Sequence, residues 1–113
     1  MKLIAVALAT LVAACSPEMV RSVPDAPIPL QQVAVLRQVA TAAKLAEPVE
    51  YSNPITAPDI SKYPWIICLR SAATEQTKSL TYSIFYGTAF SDWRLSSVNE
   101  GCASATYLPL PKS

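Results

Sequence analysis

Histidine is absent from these 113 residues, and glycine occurs only at Gly87 and Gly101. Without histidine, a zinc or non-haem iron centre would lack its commonest ligand, so no metal is expected. A Ser or Cys nucleophile would likewise need Lys or a carboxylate as its base. Two glycines leave no phosphate-cradling loop and no nucleophile elbow. Charge is also scarce: nine Lys and Arg stand against eight Asp and Glu. With no field of one sign, the chain has little to neutralise nucleic-acid phosphates. Lys62 and Lys78 lie in loop-like sequence, where a solvated ammonium is a poor base near neutral pH. Asp92 and Glu100 could imitate a carboxylate pair. However, Asp92 and Arg94 stand two apart on one strand face and read as an ordinary surface pair. The expectation is a chain that is not an enzyme and carries no cofactor.

No aromatic residue precedes Tyr51. Aromatics supply the largest burial per residue, so the packed domain belongs to the second half. Nor does any apolar run reach the roughly 20 residues that a permanent membrane helix needs. The longest, "LIAVALATLVAA" (Leu3–Ala14), follows Lys2 and ends in small residues. That arrangement fits the apolar region and cleavage site of a signal peptide. The alternative is a buried helix, an odd use for a charge-free opening followed by "SPE".

The residues Val12, Ala13, Ala14 and Cys15 resemble the bacterial lipobox. There, a branched apolar residue and two small ones precede an invariant cysteine; the commonest form has Leu first and Gly before the cysteine. The resemblance implies removal of residues 1–14, a diacylglycerol on the Cys15 thiol and a further acyl chain on its amine. Each buried methylene contributes about 0.8 kcal/mol, and two or three chains give stable anchoring. The membrane is then a partner through the lipid on Cys15. Ser16 follows in place of Asp, which by similarity to enterobacterial sorting implies the outer membrane, facing the periplasm, over the inner. Three cysteines leave an odd one in a secreted chain. If Cys15 carries lipid, Cys68 and Cys102 remain to form a disulfide in an oxidising compartment; two unrelated thiols are the alternative. Closing a loop of that length stabilises by roughly 4 kcal/mol in the chain-entropy model.

Residues 15–29 hold four prolines and no glycine, as expected of a semi-rigid tether that rises about 3.1 Å per residue. Residues 30–113 form the domain. Within it, residues 30–46 predict a helix, with Pro29 in its first turn and Pro48 closing it. Val33, Leu36, Val39, Ala40 and Ala43 share one side; Arg37, Gln38, Thr41 and Lys44 share the other. The helix is expected to lie on a sheet; a membrane-surface or coiled-coil role is the alternative, though two cations are few for the former. Residues 47–63, with prolines at 48, 54 and 58, read as a long loop or second spacer.

The strand region is 64–109. "WIICLRSA" (Trp65–Ala72), "LTYSIFYG" (Leu80–Gly87) and "FSDWRLSSV" (Phe90–Val98) are rich in β-branched and aromatic residues. Leu80, Tyr82, Ile84 and Tyr86 alternate with Thr81, Ser83, Phe85 and Gly87, which predicts one buried face. A tight turn at Gly87-Thr88 and a polar turn over 73–79 give a three-stranded antiparallel meander. Alternate strands lie about 9.5 Å apart, so Cys102 must turn back towards the first strand to reach Cys68. Ala103–Pro109 is then a fourth, edge strand beside Trp65–Ala72, or a segment across the sheet. The fold class is α+β: one amphipathic helix on a small antiparallel sheet of three to four strands.

"PWIICLRS", "YSIFYG", "WRLSSVNEGC" and "TYLPLP" together resemble a group of small alphaproteobacterial envelope lipoproteins. The resemblance spans about residues 45–111 and implies no activity, substrate or catalytic residue. The functional expectation is a lipid-anchored, non-catalytic binding or structural module, with an unidentified envelope protein as its partner. Tyr63, Tyr86 and Trp93 are the candidate binding surface, while Trp65 and Phe85 are assigned to the core. Inhibition of a periplasmic enzyme such as a lysozyme is the alternative.

Overall fold

The computed structural model describes residues 23–58, 63–73 and 80–112. The predicted signal peptide, the lipidation candidate Cys15, and Lys62 and Lys78 lie outside the described residues.

A 3-10 turn at Pro29–Gln31, with proline in its first position, leads into helix α1, Val33–Ala42. The helix stops earlier than its apolar pattern suggests. Lys44 adopts φ 58°, Leu45 N–H donates to Ala40 C=O (2.9 Å) and Lys44 N–H to Thr41 C=O (3.1 Å). This pair of bonds closes the last turn through a left-handed residue. No glycine marks the stop, because Lys44 takes the glycine position.

Among the described residues, one antiparallel sheet holds β1 (Val49–Ser52), β2 (Ile55–Thr56), β3 (Trp65–Ser71), β4 (Thr81–Tyr86), β5 (Phe90–Leu95) and β6 (Tyr107–Pro109), ordered β5-β4-β3-β1-β6. β2 pairs with β3 at its other end, opposite Trp65 and Ile66. The meander β3-β4-β5 stands as expected, but the sheet is larger than three to four strands. Residues 47–63 are not simply a loop: β1 forms between Pro48 and Pro54 and sits in the sheet interior, between β3 and β6. β6 therefore pairs with β1 and not with β3. Pro54 has no N–H, and the ladder is broken between β1 and β2. There the Ser52 hydroxyl accepts the Cys68 N–H at 2.8 Å, in place of a main-chain carbonyl.

Both faces of the sheet are covered, where one was expected. On one side Leu36, Val39 and Ala40 of α1 meet Val49, Tyr51, Ile67, Leu69, Ile84 and Tyr86. On the other, Ile66, Cys68 and Phe85 are covered by Cys102 and Ala57. Segment 98–105, two 3-10 turns at Val98–Glu100 and Cys102–Ser104, crosses this second face. Phe85 is buried; Trp65 is only half-buried, and its indole N–H donates to Pro24 C=O at 2.8 Å. The end of the proline-rich segment thus lies against the domain.

Candidate functional site

The bridge Cys68–Cys102 joins β3 to the turn of 102–104, with Cα atoms 5.7 Å apart and a sequence separation of 34. Both cysteines are buried. Gly101 makes the approach possible: it links the two turns at φ 89°, in the left-handed region, and a Cβ there would stand 3.4 Å from Ile55 Cδ1.

Next to the bridge lies a buried carboxylate that the sequence pattern alone does not stress. Glu100 is 5 % exposed. Its Oε1 accepts the Ser83 hydroxyl at 2.8 Å and the Ser97 N–H at 3.0 Å. Its Oε2 accepts Arg94 Nη2. Burial alone pushes the Glu100 carboxyl up. The Ser97 N–H, the Ser83 hydroxyl and the Arg94 guanidinium together outweigh burial and hold it below its ordinary value. All three bonds favour the ionised form of the Glu100 carboxyl. The expected Asp92–Arg94 surface pair is replaced. Arg94 reaches Glu100, while Asp92 Oδ1 accepts the Trp93 N–H at 2.8 Å.

These groups border a cleft of about 450 Å³ on the disulfide side of the sheet. Tyr63 and Phe85 form its aromatic part, with ring centroids 5.6 Å apart. Arg94 lies over the Phe85 ring at 4.8 Å. Asp92 and Asn99 complete the polar rim. The cleft offers an aromatic wall, a half-exposed guanidinium, a carboxylate and an amide, which suits it to hold a side chain or a short segment. Among the described residues, no group of three or more Cys, Asp or Glu gathers where a metal could bind.

Beside the cleft the turn Val98–Glu100 projects. Val98 is fully exposed, and Leu80 and Leu95 are 56 % and 50 % exposed around a groove of about 320 Å³. The turn is held from behind by the Glu100 bonds and by the bridge at Cys102, so its apolar tip is rigid at the outset. Three large apolar side chains thus stand exposed around one braced turn.

The predicted surface aromatics do not converge. Tyr63 borders the cleft, on the disulfide side. Trp93 is half-buried on the helix side, edge-on to Tyr82 at 5.7 Å. Tyr86 is 1 % exposed, inside the main core, and is no part of any surface. Register explains the error: Tyr86 pairs with Trp65 on an interior strand, whereas Trp93 stands on the outermost one. The signal that could have located Glu100 is "SVNE", a Ser followed three residues later by Glu, the pattern of a turn that bonds back on itself. Comparison with family models, with curated proteins and with solved structures gives no match.

Proposed function

We propose that this chain is a lipid-anchored protein of the bacterial envelope that works by binding, not catalysis, through the cleft at Tyr63 and Arg94 and the adjoining tip at Val98. One observation carries the reading. The Cys68–Cys102 bridge uses two of the three cysteines and leaves Cys15 over, in the lipobox-like "VAAC". A bridge of this kind belongs to an oxidising compartment, the destination that a cleaved signal implies. The outer membrane, facing the periplasm, is the proposed location, on the strength of Ser16.

The docked Pro24 refines the tether. Eight residues separate Cys15 from Pro24, a reach of about 25 Å at 3.1 Å per residue. A tether running free to residue 29 would reach roughly 40 Å. The module then works close to its membrane.

Intact mass spectrometry of the membrane-extracted protein tests the anchoring. It is expected to show loss of residues 1–14, added acyl mass and the loss of two hydrogens at the bridge. A full-length precursor with an unmodified Cys15 thiol overturns the reading. The binding half is tested by immobilising the chain with intact Val98 beside a Val98→Asp chain: a specific envelope partner retained only by the former is expected. A second reading draws on the same rigid, exposed tip, whose form suits a plug for an enzyme cleft. Under that reading, excess chain slows a lysozyme, and Val98→Asp abolishes the effect.

A further inference from the structure

β5 has a strand neighbour on one side only among the described residues. Such an edge is a template on which another strand can pair. The direction of its main-chain groups follows from one bond: Ser96 N–H donates to Thr81 C=O at 2.9 Å. Alternation then turns the main chain of Arg94 and Asp92 towards β4, and that of Trp93 and Leu95 outward. Two of these outward groups are already taken. Asp92 Oδ1 accepts the Trp93 N–H at 2.8 Å, and Arg94 Nη1 donates to the Leu95 carbonyl at 3.2 Å. Both bonds link neighbours in sequence, and each side chain folds back over its own strand edge.

The charge pattern by itself gives no such protection against self-pairing. Two copies of β5 laid antiparallel about Trp93 would set each Asp92 opposite the other copy's Arg94, an attractive cross-strand pair. Centring the pair on Asp92 or on Arg94 would oppose like charges and is disfavoured. Phe90 and Leu95, 39 % and 50 % exposed, would gain cover in the favoured register. That register requires each Trp93 N–H to donate to the facing Trp93 carbonyl, and that N–H is the one Asp92 occupies.

We propose that Asp92 and Arg94 act as caps that close the β5 edge against a second copy of this chain, in the antiparallel register centred on Trp93. The two caps differ in how they are held. Arg94 is fixed at its other end by Glu100, which Ser83 and Ser97 hold in turn; the Asp92 cap is local to the strand. The proposal stands whether or not Cys15 carries lipid.

Asp92 is the residue to test, because replacing Arg94 would also strip Glu100 of its partner. Full chains in detergent micelles are compared by sedimentation velocity and by hydrogen exchange at the Trp93 amide. The unaltered chain is expected to be monomeric with a slowed Trp93 amide. Asp92→Ala frees that amide; the protein is expected to dimerise, and in dilute monomeric samples the amide exchanges about three- to tenfold faster. Asp92→Asn keeps an acceptor oxygen without the charge and is expected to behave as the unaltered chain does. An Asp92→Ala chain that stays monomeric overturns the proposal, whatever its amide does. An Asp92→Asn chain that dimerises as readily as Asp92→Ala also overturns it, since charge and not the cap would then be responsible.

Discussion

Tyr86 has a buried hydroxyl that meets no hydrogen-bond partner among the described residues, and burial pushes its ionisation upward. An unpaired buried hydroxyl costs roughly 1–3 kcal/mol, while its removal leaves the ring packing in place. Tyr86→Phe is therefore expected to raise stability by about 1 kcal/mol, read as a higher urea midpoint with an unchanged slope. Glu100 presents the opposite case, a buried polar group with every oxygen engaged. Its folded-state ionisation lies below the ordinary value of 4.5. Its contribution is thus complete above about pH 4.5 and is lost as pH falls through the lower, folded-state value. Glu100→Gln should lower stability at pH 7 by about 1–3 kcal/mol, a range kept modest because Arg94 is half solvated and is not left buried. The variant should also lose less stability than the parent between pH 5 and 3, which a series of urea titrations would show. If both proteins lose stability in parallel on acidification, Glu100 is not the group responsible. Lys44 stands in a conformation that costs a side chain about 1–2 kcal/mol, against about 0.5–1 kcal/mol for the extra freedom of glycine. Lys44→Gly is expected to raise the melting temperature slightly.

At the scale of elements, the turns of 98–104 have little hydrophobic area of their own and depend on what fastens them. The bridge ties them to β3 near the centre of the sheet, and Tyr107 Oη donates to Cys102 C=O at 2.8 Å from the far side. Arg70 lies over the Tyr107 ring at 3.7 Å and pairs with Glu50, its direct cross-strand neighbour. Replacing both Cys68 and Cys102 by Ala should cost about 2–5 kcal/mol. The loss should appear first as faster hydrogen exchange over residues 97–105, ahead of β3 and β4. Where the sequence shows a long period, it is legible: α1 repeats its apolar residues over ten positions, and β4 alternates over six. β1 and β2, four and two residues long, are too short to display a period and sit among prolines. Their place in the sheet is decided by partners far along the chain, Arg70 for Glu50 and Leu69 for Tyr51. The cleft was hidden for the same reason. Tyr63, Arg94 and Glu100 are spread over three segments and meet only after the second face is covered. Tyr86 and Trp93, alike in an aromatic tally, differ only in whether their strand lies inside the sheet or at its edge.

For the molecule as a whole, the position of residue 24 decides where the described domain begins and, under the proposed anchoring at Cys15, how far it stands from the membrane. Arg37 fastens the chain's other end: its guanidinium donates to Pro111 C=O at 2.8 Å and Leu110 C=O at 2.9 Å, and it pairs with Glu47. One side of α1 thus holds the core while Arg37 holds the tail, which explains why a residue on its polar side is only partly exposed. At the near end Trp65 plays the equivalent role, through one hydrogen bond to Pro24 C=O. A single neutral bond of this kind contributes about 0.5–1.5 kcal/mol, enough to hold the segment most of the time and little enough to release it by one substitution. Trp65→Phe keeps an aromatic ring beside Tyr86 and removes the donor. On the unaltered chain a nonspecific protease is expected to cut only slowly between 24 and 28. On Trp65→Phe the same digestion should run on towards Pro29, with cleavage between 24 and 28 about three- to tenfold faster, while the core beyond α1 stays intact. Equal trimming of both chains would mean that the indole does not set the domain's first residue. The 25 Å reach would then have to be replaced by the longer one.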